Sequence, residues 1–191
     1  MTTVLNININ DLSTQFIREL KSRFDKTTQI EIRINSKEQA DELLSEAQFW
    51  QIIALLDWSQ KKYEDILAPA VAFLAQMPVA NIYLFKDNLS EKLYRLDTKA
   101  HTAAYILKDS EHYLSADDFL YTRCAVVAEG QVYYENVLKD PNEMPFDMAF
   151  EPLLSLANDA YELKTGKKFD YIPTFNYETG SNQESDNYGT R

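Results

Sequence analysis

Residues 4–10 alternate Leu5, Ile7 and Ile9 with Asn6, Asn8 and Asn10, and residues 29–35 alternate Ile30, Ile32 and Ile34 with Glu31, Arg33 and Asn35. A period of two is that of a strand with one wet face. Between them Asp11 can cap a helix in which Leu12, Phe16, Leu20 and Phe24 recur every fourth residue. Residues 1–35 are therefore predicted to form a small β-α-β unit. Two short strands alone are marginal and gain from edge-to-edge pairing, so self-association through this unit is expected.

From Ser45 onward the period is helical. Ser45 with Gln48 forms a capping box, and Phe49, Ile52, Ile53 and Leu56 follow at i, i+3, i+4 and i+7. A second helix is predicted over 63–77, where Pro78 stops it. The longest carries Ile82, Phe85, Leu89, Leu93, Leu96, Ala100, Ala103 and Leu107 in steps of three and four. Ser115 can cap the next, which Gly130 ends or kinks, with 131–138 continuing to Asp140 and Pro141. The last is predicted over 147–165, closed by Gly166. The fold class is thus mainly α, a bundle of about five or six helices preceded by the β-α-β unit. Residues 36–175 make the helical domain, in which 167–175 lies along the bundle as an extended strap through Phe169, Tyr171, Ile172 and Phe175. Residues 176–191, with only two aromatics, read as a flexible polar tail.

With 19 Lys and Arg against 30 Asp and Glu, the net charge is −11. Residues 1–35 carry 5 basic and 4 acidic residues, so all of the acidity belongs to the helical part. Such a charge opposes nucleic acid and anionic membranes. No apolar stretch approaches the ~20 residues of a membrane span, and Met1 opens no basic leader, which points to a soluble, cytoplasmic protein. One cysteine, Cys124, and two histidines, His101 and His112, exclude an internal disulfide and a thiolate zinc site. Four glycines leave no phosphate loop, dinucleotide fingerprint or nucleophile elbow, so no cofactor and no metal are expected.

Arg123 is the most informative single residue. With Phe119 as zero and about 100° per residue, Val126, Val127, Leu120 and Cys124 fall at about 340°, 80°, 100° and 140°, and Arg123 at about 40°, inside the apolar stripe. An arginine there is part-buried and needs an acceptor. Glu151, Asp159 and Asp97 are within reach by helix placement. Either the pair is internal and fixes packing, or Arg123 is an anion clamp walled by Tyr121 and Tyr134. Asp117 and Asp118 sit in a first turn, where the helix dipole favours acids. Cys124 reads as an inert buried thiol, and His101, one residue off the long helix's stripe, as a surface residue.

Phe49-Trp50, then Asp117-Asp118-Phe119-Leu120-Tyr121-Thr122-Arg123 with Gly130 and Tyr134, and finally Glu151-Pro152-Leu153-Leu154 through Ala160-Tyr161 and Thr165-Gly166, resemble a bacterial family known as domain of unknown function 4240. The resemblance implies a helical domain over about 45–166 and adds Trp50, Glu151 and Tyr161 to the candidate residues, with Glu151 favoured as partner of Arg123. It departs at Ala116, where the family often has an acid, and at Leu96, where it often has a Trp. Residues 1–35 are similar to N-terminal modules of small antitoxin-type proteins.

Two functions fit these residues. In the first, the protein is a non-enzymatic, immunity- or antitoxin-like binding module whose acidic face docks a basic protein; Asp109, Glu111, Asp117, Asp118, Glu129 and Glu135 would form that face, with Lys108 and Lys139 nearby. In the second, Arg123 lines a pocket of a ligand sensor or enzyme, with Asp117 or Glu151 as general base and the tyrosines orienting the ligand. An open cleft at Arg123 favours the second, a sealed pair the first.

Overall fold

The computed structural model describes residues 43–110 and 113–182. The β-α-β unit predicted for 1–35 lies outside the described residues, as do His112 and 183–191. The described residues hold seven α-helices and no strand. They are α1 (Glu46–Ile53), α2 (Tyr63–Gln76), α3 (Val79–Arg95), α4 (Lys99–Lys108), α5 (Ala116–Ala128), α6 (Gln131–Lys139) and α7 (Leu156–Thr165). Short 3-10 turns occupy Pro141–Glu143 and Glu151–Ser155.

Local chemistry accounts for most boundaries. The Ser45 hydroxyl accepts the Gln48 N–H at 3.2 Å while the Ser45 N–H donates to Gln48 Oε1 at 2.8 Å, which completes the capping box of α1. Met77, ahead of Pro78, is extended, because a residue before proline avoids the helical region. The Ser115 hydroxyl accepts the Asp118 N–H and starts α5. Gly166 closes α7 at φ +66, a left-handed conformation that disfavours side chains with a Cβ.

The single long helix expected from Ile82 to Leu107 is corrected to two, α3 and α4, and this is why the helices outnumber the expectation. Leu96 caps α3, and the Thr98 hydroxyl accepts the His101 N–H at 3.2 Å to begin α4. The break resets the register. On α4 the buried positions are His101, Ala104 and Tyr105, while Ala100, Ala103 and Leu107 face solvent. The final helix is corrected too. Phe150 is non-helical at φ −146 and ψ 64, Pro152 sits in a 3-10 turn, and α-helix begins only at Leu156.

His101, read as a surface residue, is in fact 2% exposed. Its Nε2 donates to the Val137 carbonyl at 3.0 Å, so Nδ1 accepts the Thr98 hydroxyl at 2.7 Å, and the ring is held neutral. Burial first, and the Arg123 charge in addition, push its pKa below the ordinary histidine value. The folded pKa is lower than the unfolded one, so stability is fully present above about pH 6.5 and is lost as pH falls from there toward the folded pKa. Denaturant unfolding of parent and His101→Gln at about pH 7.5 and 5.5 measures this. The parent should lose more stability than the variant between the two, and equal losses would remove His101 as the cause.

The core runs through α1, α3, α5 and α7, with Phe49, Ile82, Phe85, Leu93, Phe119, Val126 and Leu156 all sealed from solvent. α7 packs along α2 and against α3, and α5 lies on the Glu151–Ser155 turn. The strap follows α7 as expected, with Phe169 buried, Tyr171 4.8 Å from the Tyr83 ring and Phe175 5.4 Å from Tyr94. Ile172, expected in the strap's contact face, is exposed. Residues 176–182, assigned by composition to a loose tail, are packed onto the ends of α3 and α5.

Candidate functional site

Arg123 is the largest fully buried side chain, at 0% exposure. Its NH1 donates to the Leu93 carbonyl at 2.9 Å and the Tyr177 carbonyl at 3.1 Å, and NH2 donates to the Thr179 hydroxyl at 2.9 Å. The Asp97 carboxylate is 3.9 Å from NH2, and the Phe119 ring lies 4.9 Å from the guanidinium carbon. Only Nε is without a partner. Of the three acids considered for this arginine, Asp97 is the one in place. Glu151 is exposed at the start of its turn, and Asp159 accepts the Ser155 hydroxyl instead.

Asp97 sits in the break between α3 and α4, buried, and its carboxylate accepts the N–H groups of Gly180, Ser181 and Asn182 at 3.0, 2.7 and 3.1 Å. Three backbone donors and a guanidinium satisfy a buried carboxylate. The pair is thus sealed by the segment from Tyr177 to Asn182. A cavity of about 610 Å³ adjoins it, lined by Asp97, Thr98, Thr102, Ile106, Thr179 and Gly180 among others, and Arg123 does not reach it.

Trp50 and Tyr134 form a second cluster with a residue that sequence reasoning missed. Their rings are 5.3 Å apart, and Lys92, 3% exposed, threads between them, its ammonium 5.1 Å from the Phe49 and Trp50 rings and 5.7 Å from Tyr134. It ends on Glu46 at 2.9 Å, and this ion pair holds the Glu46 carboxyl below its usual range. Cation–π contacts and one ion pair are a sufficient account of a buried ammonium. The Tyr134 hydroxyl, sealed without a hydrogen-bond partner, has its pKa raised by burial.

Tyr121, Asp117 and Glu151 meet elsewhere, at the surface. The Tyr121 carbonyl accepts the Phe150 N–H at 3.0 Å, which brings the start of the Glu151–Ser155 turn beside α5. Burial raises the pKa of the Tyr121 phenol, and the charges of Glu151, Asp117 and Asp118 raise it further. Tyr133 on α6 repeats the pattern, with burial reinforced by Glu129, Glu143 and Asp147. Of the other expected face residues, Asp109 accepts the Tyr113 N–H and Glu135 accepts from Gln131, while Lys108 donates to the Asn142 and Met144 carbonyls. Glu111 lies outside the described residues. Tyr161 stands apart, packed with Tyr83 and Phe169. Cys124 is buried as expected, and burial pushes its thiol up to about 12.

The helical order Phe-Trp, Asp-x-Phe-x-Tyr-x-Arg and Glu-x-Leu-Leu now has a single packed core behind it, and a family described as Protein of unknown function (DUF4240) matches residues 44–163. The chain belongs to that family. The matched span holds Trp50, Asp97, Asp117, Tyr121, Arg123, Tyr134, Glu151 and Tyr161, and it starts after the N-terminal unit. No curated protein and no solved structure matches the chain. Among the described residues, no group of three or more His, Cys, Asp or Glu is arranged to hold a metal ion, and no helix is long and apolar enough to cross a membrane.

Proposed function

We propose that this protein is a non-enzymatic binding module of immunity- or antitoxin-like type, acting in the cytoplasm, whose acidic face docks a basic protein. The observation that carries the reading is the grouping of exposed acids around two half-buried tyrosines: Asp117, Asp118 and Glu151 at Tyr121, and Glu129, Glu143 and Asp147 at Tyr133. Tyrosine supplies rigid contact area at low entropic cost, and a field of one sign steers a partner of the other. The sealing of Arg123 also supports it, because Asp117 and Glu151 are then surface acids and not bases facing a bound substrate. Dimerisation through residues 1–35 is part of the same proposal.

The face is tested by comparing tagged full-length protein with a form carrying Asp117→Lys and Asp118→Lys. Both residues are exposed, so the variant should fold, with a melting temperature lowered by a few degrees because two acids leave the positive end of the α5 dipole. At low salt the parent should retain basic proteins from a lysate of its host and the variant should not. Equal retention by both would assign the acidity to solubility alone.

A further inference from the structure

Between α1 and the first turn of α2 the chain turns two large rings to solvent, Trp58 at 51% and Tyr63 at 56% exposure. Both pack on one buried ring from far along the chain, Phe150, with ring centres 4.9 Å away for Trp58 and 5.9 Å for Tyr63. The turn that carries Trp58 is held at both ends. Asp57 donates its N–H to the Ile66 carbonyl of α2 at 3.0 Å. Its carboxylate accepts the Ser59 N–H at 3.1 Å, the Ser59 hydroxyl at 2.6 Å and the Gln60 side-chain amide at 3.0 Å. An indole fixed outward in this way loses little further freedom when a partner covers it.

Phe150 joins these rings to the acidic face. Its N–H donates to the Tyr121 carbonyl, and Glu151, the next residue, is exposed and bears on the Tyr121 phenol. The surface therefore runs from Trp58 and Tyr63 across residues 150 and 151 to Tyr121, Asp117 and Asp118. Around the rings the sequence places Asp57, Glu64 and Asp65 against Lys61 and Lys62, and with Glu151, Asp117 and Asp118 the acids prevail by six to two. Trp and Tyr are the side chains that most often anchor an interface, with charged groups at the rim. Exposed aromatic faces attract cations, and a planar guanidinium stacks on a ring more readily than a strongly hydrated ammonium.

We propose that Trp58 and Tyr63, set on Phe150, are the anchor of this face, where an arginine side chain of the basic partner lies against the rings among the surrounding acids. Given a basic partner, which rests on the acidic face proposed for this protein, the anchor makes arginine and not lysine the central contact.

The test titrates hexa-arginine and hexa-lysine peptides, equal in charge, into the full chain at low salt and measures affinity by calorimetry alongside tryptophan emission. The parent should bind hexa-arginine about fivefold more tightly than hexa-lysine. Its emission should change on binding through Trp58, since Trp50 is buried. Trp58→Leu keeps an apolar cover on Phe150 without an aromatic face, so it should fold and lose most of the preference together with the emission change. Tyr63→Ala should also weaken the preference, and it serves if the leucine form folds poorly. Asp117→Lys with Asp118→Lys should weaken both peptides alike and leave their ratio near that of the parent. Equal binding of the two peptides by the parent, a preference that survives in both ring variants, or emission that answers to phosphatidylserine vesicles and to neither peptide would overturn the anchor. A charge reversal that weakens neither peptide, with the Trp58-dependent preference intact, would count against the acidic face and for the anchor.

Discussion

Arg123→Ala is expected to destabilise the protein by about 3–5 kcal/mol, because it takes the cation from a buried carboxylate and removes donors from one buried and two part-buried acceptors. For a chain of this size the melting temperature should fall on the order of 10 °C. The loss has identifiable parts: Asp97 keeps its backbone donors but loses its cation, and the Leu93 and Tyr177 carbonyls and the Thr179 hydroxyl lose theirs. Arg123→Lys should not restore stability, since one ammonium cannot reach acceptors on both sides of a planar guanidinium. Removing Asp97 together with Arg123 should cost less than the two single losses added, as groups in one network couple. Thermal denaturation of the parent and these four variants decides it. A melting temperature unchanged by Arg123→Ala would mean that the guanidinium does not hold the core.

The second large effect is kinetic. Once the basic partner is in hand, its association rate should fall at least tenfold as salt rises from about 0.01 to about 0.15 M, because the Debye length shrinks from about 30 to about 8 Å. Dissociation should change far less, since contacts inside the interface are shorter than either length. Reversing Asp117 and Asp118 to lysine should slow association further and flatten its salt dependence. Stopped-flow or surface-binding measurements separate the two rates. An association rate indifferent to salt would leave the acids without a role in recognition.

The helical phase of Arg123 was legible in the sequence because a charged residue fell inside an apolar stripe. The same angular test applied to α3 places Lys86 at about 40° and Lys92 at about 280° from Ile82, each about 20° beyond the arc from Phe85 through Leu89 to Leu93, so both flank the apolar stripe and their burial was partly encoded. His101 escaped because a helix carried through Leu96 to Leu107 gives the wrong phase beyond the break. Thr98, a good capping residue followed three positions later by the ring it bonds, was the available sign. The order of residues 176–182 had no such sign. A polar segment with few apolar groups is ordered here by donors and acceptors on α3 and α5, and a single sequence does not pair residues 83 to 85 positions apart. The acid face was readable as composition, but the pairing of Tyr121 with Glu151 needed the Phe150–Tyr121 hydrogen bond to bring 150 beside 121.

The mooring of Gly180, Ser181 and Asn182 on Asp97 also fixes where the chain can be cut. The family span closes at residue 163, yet the acceptors that complete Arg123 and the donors that complete Asp97 come from 177–182. A fragment ending at the family boundary would lose only the last two residues of α7 among the helices and still open its charged centre to water. The folding unit therefore outruns the homologous one by about twenty residues, and those residues act on the bundle as a keystone acts on an arch, late in order and small in mass.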